Sequence, residues 1–225
     1  ILNEIDTHPI LSMVSDRISK TRTIERTFGI LVPTRDQWER QEVKLNGLVW
    51  YTDGSKTQDG TGCGIWGAYL RQGVFISLGQ YATIFQAEVH AIHLCVATLL
   101  ETDFINKRIF IVSDSQAALK ALGSTETNSG LVLNCIQELN ALGCRNNVKL
   151  VWCPGHTNIP GNEKADHLAK TGSETPFFGP EPSLGISYGT AKRCLNGILI
   201  QGHKAHWKKV AGHAHTKAIQ IGRAS

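Results

Sequence analysis

The chain has 225 residues, of which 41% are apolar and 19% charged. That balance permits a packed core and excludes wholesale disorder, and the length fits one large domain or one domain of ~150 residues with added segments. The formal net charge of +4 leans toward an anionic partner without requiring one, and no apolar run approaches the ~20 residues of a membrane span.

Residues 1–45 carry mixed charges. Within them "HPILSMVSDRISKT" places Ile10, Leu11, Val14 and Ile18 on one helical face, so the segment reads as a linker with an amphipathic turn or two. From Gly47 the texture changes. "GLVWYTD" predicts a short strand ending at a D-G turn, and "GCGIWGAYL" and "GVFISLGQ" predict hairpin strands. "IFQAEVHAIHLCVATLLETD" predicts a helix of about five turns. "RIFIVSD" predicts a buried strand, "SQAALKALG" a short helix closed by Gly, and "SGLVLNCIQELNALG" a helix closed by Gly143. "VKLVWC" predicts a last strand, followed by the Gly- and Pro-rich loop and helix of "PGHTNIPGNEKADHLAK". Hairpin strands followed by βα units predict a mixed sheet with helices on its faces.

The six cysteines form no C-x-x-C pair, and several lie in apolar runs where a thiol acts as a small hydrophobe. Without a signal peptide they read as reduced thiols of an intracellular protein, nuclear or cytoplasmic. The chain begins at Ile1 and has its single Met at position 13, as expected of a piece of a longer polypeptide. From Pro182 to Ser225 there are seven Lys or Arg, four His and no Asp or Glu, a block basic enough to meet phosphates or to be a solvated tail. Its histidines His203, His206, His213 and His215, with Cys194, match no standard zinc-finger spacing. A basic, partly helical segment around Trp207 is the simpler reading.

Four carboxylates sit in awkward places. Asp53 ends the first predicted strand on the side of Val49 and Tyr51, where a turn aspartate is the bland alternative. Glu88 shares a helical stripe with Ile92, Cys95 and Leu99, so it must find a cation or strong donors, or else bend out to water. Asp114 ends the strand of Phe110 and Val112, where it could also cap the next helix. Asp166 lies near the start of the last helix, a position that the helix dipole favours for any acid. Taken together, these acids aim at one edge of one sheet. Clustered carboxylates repel, and a divalent cation resolves that conflict.

These residues resemble a known family. "YTDGSK", "QAEVHAI", "VSDSQAAL" and "WCPGHTNIPGNEKADHLAK" look like the four motif blocks of ribonuclease H, in their usual order. The last block is most similar to ribonuclease H domains of non-LTR retrotransposons, which follow the reverse transcriptase in one polyprotein, and the tail resembles the segment after that domain. The resemblance implies a ribonuclease H-like α/β fold. Its mixed sheet would have five strands, three antiparallel then two parallel, with helices on both faces. It also implies a linker at 1–45, the ribonuclease H domain at 46–172 and a basic extension at 173–225. The implied activity is endonucleolytic hydrolysis of the RNA strand of RNA–DNA hybrids, serving reverse transcription. A catalytically silent nucleic-acid-binding domain and a DNA-directed nuclease of the same superfold are the alternatives. By resemblance Asp53, Glu88, Asp114 and Asp166 hold two Mg²⁺ ions, for which Mn²⁺ can substitute. Asp53 would bridge the ions, and His156 would help proton movement and product departure. Ser55, Gln116 and Asn162 are candidate substrate-positioning residues. The implied partners are the hybrid and the reverse transcriptase part of the same polyprotein, with no membrane and a monomeric isolated domain. Two features depart from the family's cellular members. Ile84 and Phe85 stand where a polar pair reads the hybrid's minor groove, and only "GSTETNSG" occupies the place of a basic protrusion.

Overall fold

A computed structural model describes residues 9–209. The chain divides into two units, one of residues 14–188 and one comprising residues 1–13 and 189–225. The elements of the first unit begin with β1 (Arg17–Thr23), β2 (Gly29–Leu31) and α1 (Arg35–Glu39). There follow β3 (Leu48–Lys56), β4 (Thr61–Gly67), β5 (Gln72–Ser77) and α2 (Ile84–Leu100). Next come β6 (Arg108–Ser113), α3 (Gln116–Leu122), β7 (Glu126–Ser129), α4 (Gly130–Arg145), β8 (Asn147–Trp152) and α5 (Pro160–Glu174). In the second unit the described residues form a 3-10 turn at Pro9–Leu11 and most of α6 (Tyr188–Lys209), on which the His203 ring stacks with Trp207 at 6.0 Å between centroids. His213 and His215 lie outside the described residues.

The fold is mixed α/β. Strands β3, β4 and β5 form an antiparallel meander, β6 and β8 run parallel beside β3, and the order is β2-β8-β6-β3-β4-β5. The sheet therefore has six strands where five were expected. The sixth is β2, parallel to β8 through Gly29↔Lys149 to Leu31↔Val151. Three residues are too few to show a period of two, so "GIL" gives no strand signal in a sequence. The helical face expected around Val14 and Ile18 is also replaced. Residues 17–23 extend as β1 and pair with β7 across a wide register shift.

Alternation sorts the core. Ile109, Ile111, Val148 and Leu150 face α2, α3 and α4, whereas Phe110, Val112 and Val151 face the other side with Trp38 of α1 and Ile159. Helix α2 opens with a capping box, Thr83 accepting from Gln86 N and Gln86 accepting from Thr83 N. Helix α4 does not stop at Gly143 as expected but runs on to Arg145. A Cβ at Gly143 would stand 2.5 Å from Thr27 Oγ1, so this glycine lets the amino-terminal segment cross the helix.

A glycine face on β4 sets the depth of α5. A Cβ at Gly64 would lie 2.5 Å from Ala169 N and 2.6 Å from Ala165 O, and one at Gly62 would lie 2.2 Å from Ser173 N. The helix thus rests on the strand backbone rather than on side chains. We expect Gly64→Ala to destabilise the protein by more than the ~1–3 kcal/mol of an added core methylene, because the clash is with backbone. Gly197→Ala is the control, since among the described residues nothing lies within 4 Å of its added Cβ. Urea denaturation midpoints with unchanged slopes would measure both.

Candidate active site

The acids collect at one end of the central strands. Asp53 was expected to end its strand at a turn; instead β3 continues through Gly54 to Lys56, and Asp53 pairs with Gly64 of β4. What looked like a turn glycine serves close packing. A Cβ at Gly54 would meet Glu88 N at 2.7 Å, so α2 sits directly on the strand and brings Glu88 beside Asp53. The parallel ladder of β3 with β6 ends one residue earlier, at Thr52↔Ser113, and Asp114 follows Ser113. Ser115, not Asp114, caps α3 by accepting from Ala118 N at 3.3 Å. Asp114 is thereby left for other work.

Ligand atoms of Asp53, Glu88 and Asp114 all lie within 4.8 Å of one another. Asp53 is 6% exposed and Glu88 8%. Asp166, on α5, is the fourth acid. It adjoins Asp53 closely enough to share a side-chain hydrogen bond, but its Oδ2 also accepts from Lys170 Nζ at 2.7 Å. The structure therefore brings three of the expected four acids into one cluster and sets the fourth against Asp53, held by an i,i+4 lysine that the sequence reading overlooked.

Burial and mutual repulsion show in the proton affinities. Burial first, then Asp114 and Asp166, push the Asp53 carboxyl up to about 8, although Gly54 N–H donates to its Oδ1 at 2.9 Å. Burial, then Asp53 and Asp114, push Glu88 up to about 9. Glu88 Oε2 is buried with no hydrogen-bond partner among the described residues. Asp114 is raised by burial, against which the Asn162 side chain and the nearby His156 act.

The loop after β8 supplies the remaining groups. His156 is exposed, with φ +53°, and Asn158 has φ +56°, so two non-glycine residues adopt the left-handed region in three positions. A Cβ at Gly155 would stand 2.6 Å from Asp114 Oδ2, which shows how closely this loop passes the acid. Asn162 is buried and hydrogen-bonds Asp114. Its Oδ1 accepts from Cys153 Sγ at 3.4 Å, which fixes the amide with its NH₂ turned to the carboxylate. Nothing in the sequence distinguishes this thiol from its core neighbours. Trp152 Nε1 donates to Asp114 O, and Trp38 Nε1 of α1 donates to Trp152 O, both at 3.0 Å. Two indoles thus pin the backbone that carries Asp114.

The other candidates lie around this centre. Ser55 is part-buried on β3 and accepts from Ser173 Oγ at 3.4 Å, while Gln116 is exposed at the first turn of α3. Ile84 is 46% exposed at the start of α2, and Phe85 packs on the core. His90 and His93 share the helix of Glu88, their rings meeting edge-on at 5.8 Å, and His93 faces α4. His93 Nε2 stands 3.0 Å from Glu138 Oε2, near enough for an ion pair though not aligned for a hydrogen bond.

All the donors are carboxylate oxygens, crowded and partly unsatisfied. That set fits a hard divalent cation and no soft one. The linkage sign follows from the raised affinities. A carboxyl that binds its proton more tightly when folded stabilises the protein below its ordinary range, near pH 4, and loses that contribution as pH rises through 8 to 9. The melting temperature of metal-free protein should therefore fall from pH 6 to pH 10, and Asp53→Asn should flatten the fall. Added Mg²⁺ should raise the melting temperature most at the alkaline end and release protons on binding, read by calorimetry in buffers of different ionisation enthalpy.

Comparison with known proteins adds an independent finding. The family model described as RNase H matches residues 46–174. The chain is 30% identical over 138 residues to Ribonuclease H of Tropheryma whipplei strain Twist, covering 56% of this chain and 83% of that protein. Ribonuclease H of Tropheryma whipplei strain TW08/27 matches with the same identity and coverage.

Proposed function

We propose, from the premise that this chain belongs to the RNase H family and is a ribonuclease H hydrolase, that it is an endonuclease cutting the RNA strand of RNA–DNA hybrids. The observation that carries the reading is the cluster of Asp53, Glu88 and Asp114 within 4.8 Å, with a buried Glu88 oxygen left unsatisfied. Burial without a counter-charge is costly for any acid, and a cation site accounts for three such acids in one place.

In this reading Asp53, Glu88, Asp114 and Asp166 would hold Mg²⁺, Asp53 adjoining both the Glu88–Asp114 pair and Asp166. Bound there, the cations would polarise the scissile phosphate and activate water. Everything else falls to the chain. The water oxygen forms a bond to phosphorus, the bond from phosphorus to the 3′-oxygen breaks, and that oxygen takes a proton from solvent, which leaves a 5′-phosphate and a 3′-hydroxyl. His156, exposed on its loop and close enough to act on the Asp114 charge, would receive the proton that the water sheds. Asn162 and Cys153 hold the Asp114 carboxylate in one orientation. Lys170 shields Asp166 until a cation competes for it. The exposed Ile84 at the start of α2 would meet the hybrid by apolar contact.

We further read the chain as the ribonuclease H part of a non-LTR retrotransposon polyprotein, acting with its reverse transcriptase. The support is the likeness of the "GHTNIPGNEKAD" block and the basic tail to that group.

The test compares wild type and Asp114→Asn on a labelled hybrid, with DNA and RNA duplexes as controls. We expect Mg²⁺-dependent cleavage of the hybrid alone and a loss of at least ~100-fold in the variant, the scale for removing one transition-state-stabilising group. Equal rates in both proteins would refute the assignment. Hybrid binding without cleavage by either would instead mark a silent binding domain.

A further inference from the structure

A second charged feature occupies the opposite end of the sheet, where the parallel strands begin. Lys107, Arg108, Arg145 and Lys149 line one cleft of about 530 Å³ with Asn106 and Asn147. An adjoining hollow shares Asn106, Lys107 and Arg108 and adds Asn46. Backbone pairing fixes the positions from which these side chains extend. Asn106 N donates to Arg145 O at 2.9 Å, Lys107 N to Asn146 Oδ1 at 3.0 Å and Asn147 N to Lys107 O at 2.8 Å, and Phe110 pairs with Lys149 across the strands. Among the described residues, none of the four forms an ion pair with an acid. Four cations set around one cleft make a positive potential that favours an anion from outside.

The acids are too far away to do so. Arg108 opens β6 and Asp114 follows its last residue, a separation of ~20 Å at ~3.3 Å per residue. That exceeds two Debye lengths of ~8 Å at physiological salt, so the basic edge is electrostatically independent of the acid cluster. The cleft itself has little apolar lining, Val148 and Cys144 among Asn, Lys and Arg, while Arg108, Asn147 and Lys149 also border a separate hollow floored by Leu31, Val32 and Phe110. A protein partner would want an apolar interface centre. Phosphate oxygens want what is here, Lys and Arg charges with amide donors.

We propose that this edge binds the phosphate backbone of nucleic acid, gripping a stretch of the substrate beyond the one at the acids. The assignment rests on the hybrid-cleaving reading for the identity of that substrate. It gives the domain a second hold on a long polyanion, in a chain whose loop between α3 and α4 carries no basic protrusion.

The experiment measures binding of a ~24-base-pair hybrid by fluorescence anisotropy across a salt series without divalent metal, on the scale where each phosphate contact contributes ~0.9 to the log–log slope. Wild type is compared with Lys107→Gln/Arg108→Gln/Arg145→Gln/Lys149→Gln and with the milder Lys107→Gln/Arg145→Gln, each checked for an unchanged melting transition. The slope should fall by ~2–4 in the fourfold variant and by about half of that in the double. KM for hybrid should rise at least ~10-fold while kcat stays within ~2-fold, the pattern of lost uniform binding. Unchanged slopes overturn the proposal, as does tighter binding of poly-glutamate than of hybrid. If wild type cleaves nothing and the slopes still fall, the binding edge stands and the catalytic reading does not.

Discussion

Carboxylates that repel one another are held together at one end of the sheet, and much of the packing serves to keep them there. Burial raises the proton affinity of Asp53 and Glu88 far above the ordinary range. Left to side-chain preferences alone, the acids would turn apart toward water. Two glycines prevent this by removing side chains rather than adding contacts. Gly54 lets α2 lie on β3, and Gly64 lets α5 lie on β4, so Glu88 and Asp166 approach Asp53 from different helices. Close backbone packing is stiff, which is what a strained electrostatic arrangement needs if it is to wait for a cation.

The third acid is held differently. Asp114 stands past the end of β6, where the ladder no longer constrains it. Trp152, and through it Trp38, anchors its backbone, while Asn162, oriented by Cys153, anchors its carboxylate. Loss of any of these contacts loosens the acid without removing it. The amino-terminal segment thus reaches the site through an indole hydrogen bond, not through a charged group.

The sequence revealed the chemistry better than the geometry. Of the four acids Glu88 alone breaks a pattern, on a stripe with Ile92, Cys95 and Leu99; Asp53, Asp114 and Asp166 drew notice only as a set aimed at one edge of the sheet. The hairpins and the βα order were legible from period and from Gly and Pro. What escaped was contact between distant segments. "DG" at 53–54 carries a hairpin signal, yet here the glycine answers to α2, thirty-odd residues away in sequence. Gly143 looked like a helix stop and is instead a crossing point for Thr27. Cys153 looked like core, and is, but its thiol also has a directed partner in Asn162. Such roles are set by what a residue faces, which local pattern cannot contain.

The short strand β2 has a consequence out of proportion to its three residues. It covers β8, whose other neighbour is β6. A chain cut at residue 46, where the family match begins, would lose β2 and Trp38 and would present β8 as a bare outer strand. That strand is "NVKLVW", with Val148, Leu150 and Val151 buried in the intact protein. Its unpaired amides and carbonyls would offer a template for another chain. A trimmed protein would then be at risk of aggregating through that edge rather than failing in catalysis, and a loss of yield or monodispersity on truncation would say nothing against the acids.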